Sequence, residues 1–271
     1  MKNRIVTDGP AMNVKRGNNL NYKYIIASVI SLLLIACASD ASPVPGKQWQ
    51  VGVVMPSFYP VNVTQAYGVN EEEDWTVMLH NFTQFMSVSE LSNARKKLPD
   101  YDGYGLPLHS ISIVRRDQIG GTTHLPDYIY IYWASLVDPK FYVTKYELDE
   151  SVKRLMSINL SYTLESGFVI HDCFRTELVF GLLPNGNAKV WLKGCDEMIY
   201  VKELPPDRII DNDSNRKLIE DYKKGSYFTD VKKRAEDEGV STDPIPWDKV
   251  NKVYTLEKVK TLDEALSANH Q

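Results

Sequence analysis

The chain has 271 residues, with 31 Lys/Arg against 35 Asp/Glu and a net charge of −4 at pH 7. An acidic balance is poorly suited to nucleic acid or to anionic headgroups, so no nucleic-acid partner is expected. The length is enough for one sizeable domain, or one domain with an appendage.

Residues 24–36 form an uncharged stretch that ends in Leu34-Ile35-Ala36-Cys37, with Lys15, Arg16 and Lys23 just upstream. A transmembrane helix needs about 20 apolar residues. This stretch is shorter and contains Ser28 and Ser31. A charged region, an apolar region and small residues before a cut describe a secretory signal. The cysteine at the cut resembles the bacterial lipobox, in which the thiol is diacylated and becomes the first mature residue. Residues 1–36 are therefore expected to be a lipoprotein signal peptide, with Met12 the expected start. Cys37 is the expected lipidation site. Ala38, rather than Asp, follows it, which in this lipoprotein class implies the outer membrane, facing the periplasm. The signal segment holds five Lys/Arg and one Asp, so the remainder is more acidic still. Membrane attachment must then come from acyl chains, at about 0.8 kcal/mol per buried CH₂. Residues 37–48, rich in small residues and carrying two prolines, read as a tether that spans roughly 35 Å when stretched.

Residues 49–55 read as a first strand, broken by Pro56 and Pro60, with Phe58 and Tyr59 packing onto the sheet. Glu71, Glu72, Glu73 and Asp74 form an acidic loop ahead of Trp75, and 75–82 is a candidate strand. Residues 87–98 have helical spacing with Ser87 or Ser89 as N-cap. Residues 101–108 are rich in Gly, Pro and Tyr and read as a loop, and 110–116 alternate as a short strand. In 128–148, Tyr128, Tyr130 and Tyr132 alternate with Ile129, Ile131 and Trp133, and Asp138-Pro139 marks the turn to a second alternating run. This predicts a hairpin. Asp149 is positioned to cap a helix over 151–160 whose apolar side is Val152, Leu155, Met156 and Leu160. Residues 174–183 and 188–193 flank Asn185-Gly186, a strong hairpin signal. A further strand over 198–203 stops at Pro205-Pro206. From Asp207 the composition turns charged. Helices are expected over 215–222, capped by Asp213 or Ser214, over 229–238 and over 262–266. The predicted architecture is α+β, mainly β: an antiparallel sheet or sandwich over 49–204 with one or two packed helices, and a helical C-terminal appendage over 205–271.

If Cys37 is lipidated, Cys173 and Cys195 remain, in a compartment that permits disulfides. Centring the hairpin on Asn185-Gly186 places Cys195 near Thr176 and Cys173 near Met198, so a bridge needs a bulge or a splayed end. The alternative is two separate small buried side chains. No nucleophile elbow, metal-binding H-E-x-x-H or P-loop occurs in the chain. The five histidines are scattered, and no metal, cofactor or enzymatic activity is expected. His171-Asp172-Cys173 suggests a Cys–His nucleophile, but an exported thiol beside Cys195 would be oxidised. The tyrosine stripe Tyr128/Tyr130/Tyr132 has two readings. It is either a buried sandwich face or an exposed partner-binding surface, where tyrosine is enriched. Glu71–Asp74 is either a solvated loop or a patch that steers a basic partner.

Tyr132-Trp133-Ala134-Ser135, then Lys140-Phe141-Tyr142 and a short helix, resemble a family of bacterial lipoproteins known as domain of unknown function 2931. The block Gly181-Leu182-Leu183-Pro184-Asn185-Gly186 with Val190-Trp191-Leu192, and the early Trp49, Pro56 and Tyr59-Pro60, carry the same resemblance. It spans roughly 49–204 and leaves 205–271 uncovered. The family has no established enzymatic activity. Some members are similar to neighbours of type VI secretion effectors, which implies a lipoprotein immunity factor that blocks a secreted toxin. The alternative is a structural envelope lipoprotein with no toxin partner. Contacts with a partner are expected from Glu71, Glu72, Glu73 and Asp74, from the 101–108 loop, and from Tyr128, Tyr130 and Tyr132.

Overall fold

The computed structural model describes residues 46–82, 88–164 and 166–268. The signal segment, Cys37, most of the tether, Ser87 and His270 lie outside the described residues.

Two sheets face each other. The first has β5 (Val114–Arg116), β1 (Gln50–Val54), β10 (Glu177–Leu182), β11 (Ala188–Gly194), β12 (Glu197–Leu204) and β15 (Val259–Thr261) in that spatial order. β1 runs parallel to β10 and β15 parallel to β12, and the other pairs are antiparallel. The second sheet, wholly antiparallel, is ordered β13 (Arg208–Ile210), β7 (Phe141–Glu147), β6 (Tyr128–Ser135), β2 (Val61–Asn70), β3 (Trp75–Met78).

Period-2 patterning explains how they meet. Ile129, Ile131 and Trp133 of β6 and Tyr142 and Tyr146 of β7 point inward onto Val51, Val53, Phe180, Val190 and Leu192 of the first sheet. The helix α2 (Glu150–Ser157) closes this core with Val152, Leu155 and Met156. Trp133 donates its indole N–H to Thr144 Oγ1 at 3.0 Å, so the one polar atom that it buries is satisfied.

The other face of the first sheet is also buried. Val54, Val179, Trp191 and Met198 pack against Leu91 and Ala94 of α1 (Val88–Lys97), against Leu98 just after it, and against Tyr101, Leu106 and Leu108. Burial on both sides accounts for the unbroken apolar runs of β1 and β10. The C-terminal segment adds Ala235 of α4 (Ser226–Asp237) and Val250 of α5 (Trp247–Val250) to this layer.

Three of the C-terminal helices, α3 (Ile219–Lys223), α4 and α6 (Leu262–Ala268), answer to those expected, and α5 is additional. The same segment also lends β13 to one sheet and β15 to the other. It pairs β14 (Val253–Tyr254) with β4 (Leu106–Pro107). It is thus laced through the domain, and Tyr59 donates to the Ser241 carbonyl at 2.6 Å across it. The 101–108 loop, expected as a contact surface, is instead core: Tyr101, Leu106 and Leu108 are buried beneath this segment.

Several boundaries differ for local reasons. The strand expected over 110–116 is reduced to β5, because the His109 carbonyl accepts from the amides of Ser112 and Ile113 and turns the chain. The helix after Asp149 stops at Ser157, and Leu160 starts β8 (Leu160–Thr163), which pairs with β9 (Val169–Cys173). Asp149 caps through its carbonyl, which accepts from Val152 and Lys153, and not through its side chain. The helix expected over 215–222 shrinks to α3. The Asp213 carboxylate captures the amides of Asn215 and Lys217, each at 2.8 Å, and Arg216 takes a φ of 62°.

Candidate functional site: the outer face of the second sheet

Tyr128, Tyr130 and Tyr132 lie on the side of β6 away from the core, and each is half-buried. The buried sandwich face consists of their alternate neighbours, Ile129, Ile131 and Trp133. A fourth tyrosine completes the cluster. Tyr67 of β2 stacks on Tyr130 at a centroid distance of 5.2 Å and on Tyr132 at 6.0 Å. The Tyr67 and Tyr132 hydroxyls lie 3.2 Å apart. Burial, followed by the Tyr132 hydrogen bond, pushes the Tyr67 pKa well above its ordinary value, so the hydroxyl keeps its proton. Tyr67 is on this face because β2 contains a bulge. Val63 pairs with Trp133 and Gln65 with Tyr132, so the extra residue Thr64 reverses the alternation.

Cations flank the aromatic patch. Lys145 Nζ stands 4.0 Å from the Tyr128 ring centroid and 5.7 Å from that of Tyr130. Hydrogen bonding to Tyr130 raises the Lys145 pKa. Arg208 reaches the Tyr132 hydroxyl at 3.5 Å and pairs with Asp207 at 3.0 Å. The far end of the face is covered. Phe141 meets Tyr222 of α3 edge-on at 5.1 Å, and Tyr222 donates to Asp213 at 2.8 Å while accepting from Asn62.

The acidic loop is the turn between β2 and β3, at the opposite end of the same sheet. Val69 pairs with Tyr128, and Glu71 follows two residues on, so the fold brings the two sequence-predicted patches together. The turn is firmly held. Asn70 Oδ1 accepts the Glu73 amide at 2.7 Å, Asp127 accepts the Glu71 amide at 2.8 Å, and Asp74 adopts a φ of 52°. Glu73 accepts from Trp75 Nε1 at 2.8 Å and lies 2.6 Å from His124 Nδ1. Those contacts, Trp75 first, hold its carboxyl below the usual range. Burial alone would raise the Asp127 pKa, but Lys153 at 2.9 Å and the Glu71 amide more than offset it, and the net shift is downward. Glu71, Glu72, Glu73 and Asp74 are all exposed.

Cys173 and Cys195 stand at disulfide distance, with Sγ atoms 2.21 Å and Cα atoms 5.6 Å apart. The splay that the sequence required is present. The β10–β11 pairing ends at Glu177 and Lys193, and Cys195 and Asp196 turn the chain with φ of 55° and 58°. Beside the pair, Arg175 donates to Glu197 at 2.7 Å and Lys260 contacts the same carboxylate. Among the described residues no group of three or more His, Cys, Asp or Glu could hold a metal ion.

A mainly β, two-sheet domain with an aromatic outer face and an acidic turn is the class that the geometry defines. The chain belongs to the family described as "Protein of unknown function (DUF2931)", whose model matches residues 37–248. The match runs past residue 204, where the resemblance was expected to end, and takes in β13, whereas β15 lies beyond it. No curated protein and no solved structure matches the chain.

Proposed function

We propose that this protein is a lipoprotein, anchored through Cys37 in the outer membrane and facing the periplasm, whose outer tyrosine face binds another protein. The occupant that best suits it is an incoming type VI secretion effector, blocked by occlusion of its active cleft. The observation that carries this reading is the outer face itself. Four tyrosines in mutual contact form a preorganised patch, continuous with an exposed acidic turn. Aromatic side chains offer large contact area at little entropic cost, and an acidic rim steers a basic partner. The lipobox-like run ending at Cys37 supports the address, and the family match starts at that same residue.

The test is crosslinking in the periplasm followed by purification with the product of the adjacent gene. Wild-type protein should retain that product, and Tyr130→Asp, on the exposed side of β6, should lose it. Equal retention by both would remove the tyrosine face from the interface.

A further inference from the structure

β8 and β9 belong to neither main sheet. They form a separate two-stranded ribbon. Its base is fixed: Leu160 pairs with Cys173, which is joined to Cys195 in the turn between β11 and β12. Its tip is closed by the Gly167 amide donating to the Leu164 carbonyl at 2.8 Å and the Leu164 amide donating to the Phe168 carbonyl at 2.9 Å. The flanks are polar and internally paired, Asn159 with Asp172 at 2.8 Å and Ser161 with His171 at 3.1 Å.

The tip is apolar and open. Phe168 is 65 % exposed, Val169 40 % and Leu164 38 %. Exposed apolar side chains occur elsewhere on the surface, but here three are gathered at the tip of one ribbon braced at its base. Sequence 162–170 carries a single charge, and that charge is acidic.

The place where the N-terminal segment enters the domain selects the occupant. Gly46 lies against the ring of Phe174, the residue after β9: a Cβ on Gly46 would stand 2.7 Å from that ring. The chain that runs back to Cys37 therefore leaves from the base of this ribbon. The nine steps from Cys37 to Gly46 span at most about 32 Å, and the ribbon extends about 15 Å from base to tip. An acyl chain on Cys37 would keep the base of the ribbon within tether length of a bilayer, close enough for the tip to meet it.

We infer that the β8–β9 tip is a second membrane contact, with Leu164, Phe168 and Val169 entering the acyl boundary of a zwitterionic bilayer beside the lipid anchor. The inference rests on lipidation of Cys37. A second apolar contact would fix the orientation of a domain that a tether alone leaves free. The acidic residue favours zwitterionic over anionic headgroups.

The test uses the full-length lipidated protein in phosphatidylcholine/phosphatidylethanolamine vesicles, with or without brominated acyl chains. Phe168→Trp places a reporter at the tip, and Tyr227→Trp, at an exposed position of α4, serves as the comparison. Mass spectrometry of the purified protein reports the acyl group on Cys37. The expected result is at least two-fold quenching of the emission added by Phe168→Trp and none of that added by Tyr227→Trp. An acylated, vesicle-bound protein whose Phe168→Trp emission is not quenched would overturn the tip contact and leave the anchor standing. That would also be the result if the tip met a second copy or another protein. Absence of the acyl group would remove the anchor and this inference together.

Discussion

Lys145 Nζ stands 4.0 Å from the ring centroid of Tyr128, with Tyr130 on its other side at 5.7 Å. The contact links neighbouring strands of the second sheet, β7 and β6. Lys145→Met keeps most of the aliphatic stem and removes the cation from the rings, so urea denaturation should show a small drop in midpoint with an unchanged slope. A midpoint equal to or above that of wild type would mean that the contact does not stabilise the fold.

The face and the fold should separate experimentally. Tyr130→Ala removes a half-buried ring from the solvent side and should cost about 1 kcal/mol of stability. A hot-spot tyrosine contributes about 2 kcal/mol to binding, so affinity for the partner should fall about 30-fold. Titration calorimetry against the purified partner checks the second figure and thermal melting the first.

Gly68 is fixed by a close approach. A Cβ there would lie 2.6 Å from the indole ring of Trp49 and 3.1 Å from Pro126. Trp49 is wholly buried, and its indole N–H donates to the His124 carbonyl at 3.0 Å, so the ring cannot swing away without losing that bond. Gly68→Ala should cost about 1–3 kcal/mol by overpacking, seen as a lower denaturation midpoint with an unchanged slope.

The Arg175–Glu197–Lys260 cluster predicts acid sensitivity. Burial would raise the Glu197 pKa, but the Lys260 and Arg175 hydrogen bonds outweigh it and hold it below the ordinary 4.5. A carboxyl depressed on folding stabilises the protein above its unfolded pKa. That contribution is lost as pH falls below about 4.5 through the lower folded value. Glu197→Gln should therefore be less stable than wild type by about 2 kcal/mol at pH 6. The gap should close toward pH 3. Urea midpoints of both proteins at the two pH values provide the check.

The Cys173–Cys195 link has a sequence separation of 22. A closed loop of that length is worth about 3 kcal/mol. Reduction should destabilise the domain by about that amount, and hydrogen exchange in β8 and β9 should rise before exchange in β6.

The mainly β class, the 128–148 hairpin, the Asn185-Gly186 turn and the cysteine pair were legible because period-2 patterning and turn chemistry are local. β2 was not legible. Its inward residues are Val61 and Val63, then Ala66, Gly68 and Asn70, and the bulge at Thr64 resets the period midway. With β2 unread, Tyr67 could not be placed beside Tyr130. Nor could the acidic residues be recognised as the turn at the end of the tyrosine face. Lys145 was within the predicted hairpin, but its partners lie on another strand. The edge strands β13 and β15 have three residues each and owe their pairing to tertiary context rather than to propensity. The cluster Leu164, Phe168 and Val169 shows no pattern in sequence, because its exposure comes from a ribbon that stands apart from both sheets.

The tyrosine face of the proposed lipoprotein is proposed to protect its host from a secreted toxin. The most direct measurement is co-culture of a deletion strain with its own parent under conditions of contact-dependent killing. Survival is counted after complementation with wild type or Tyr130→Asp, both confirmed to be present at equal levels in the envelope. The deletion strain should be killed, wild type should restore survival and Tyr130→Asp should not. Full survival of the deletion strain, or full rescue by Tyr130→Asp, would contradict that proposal.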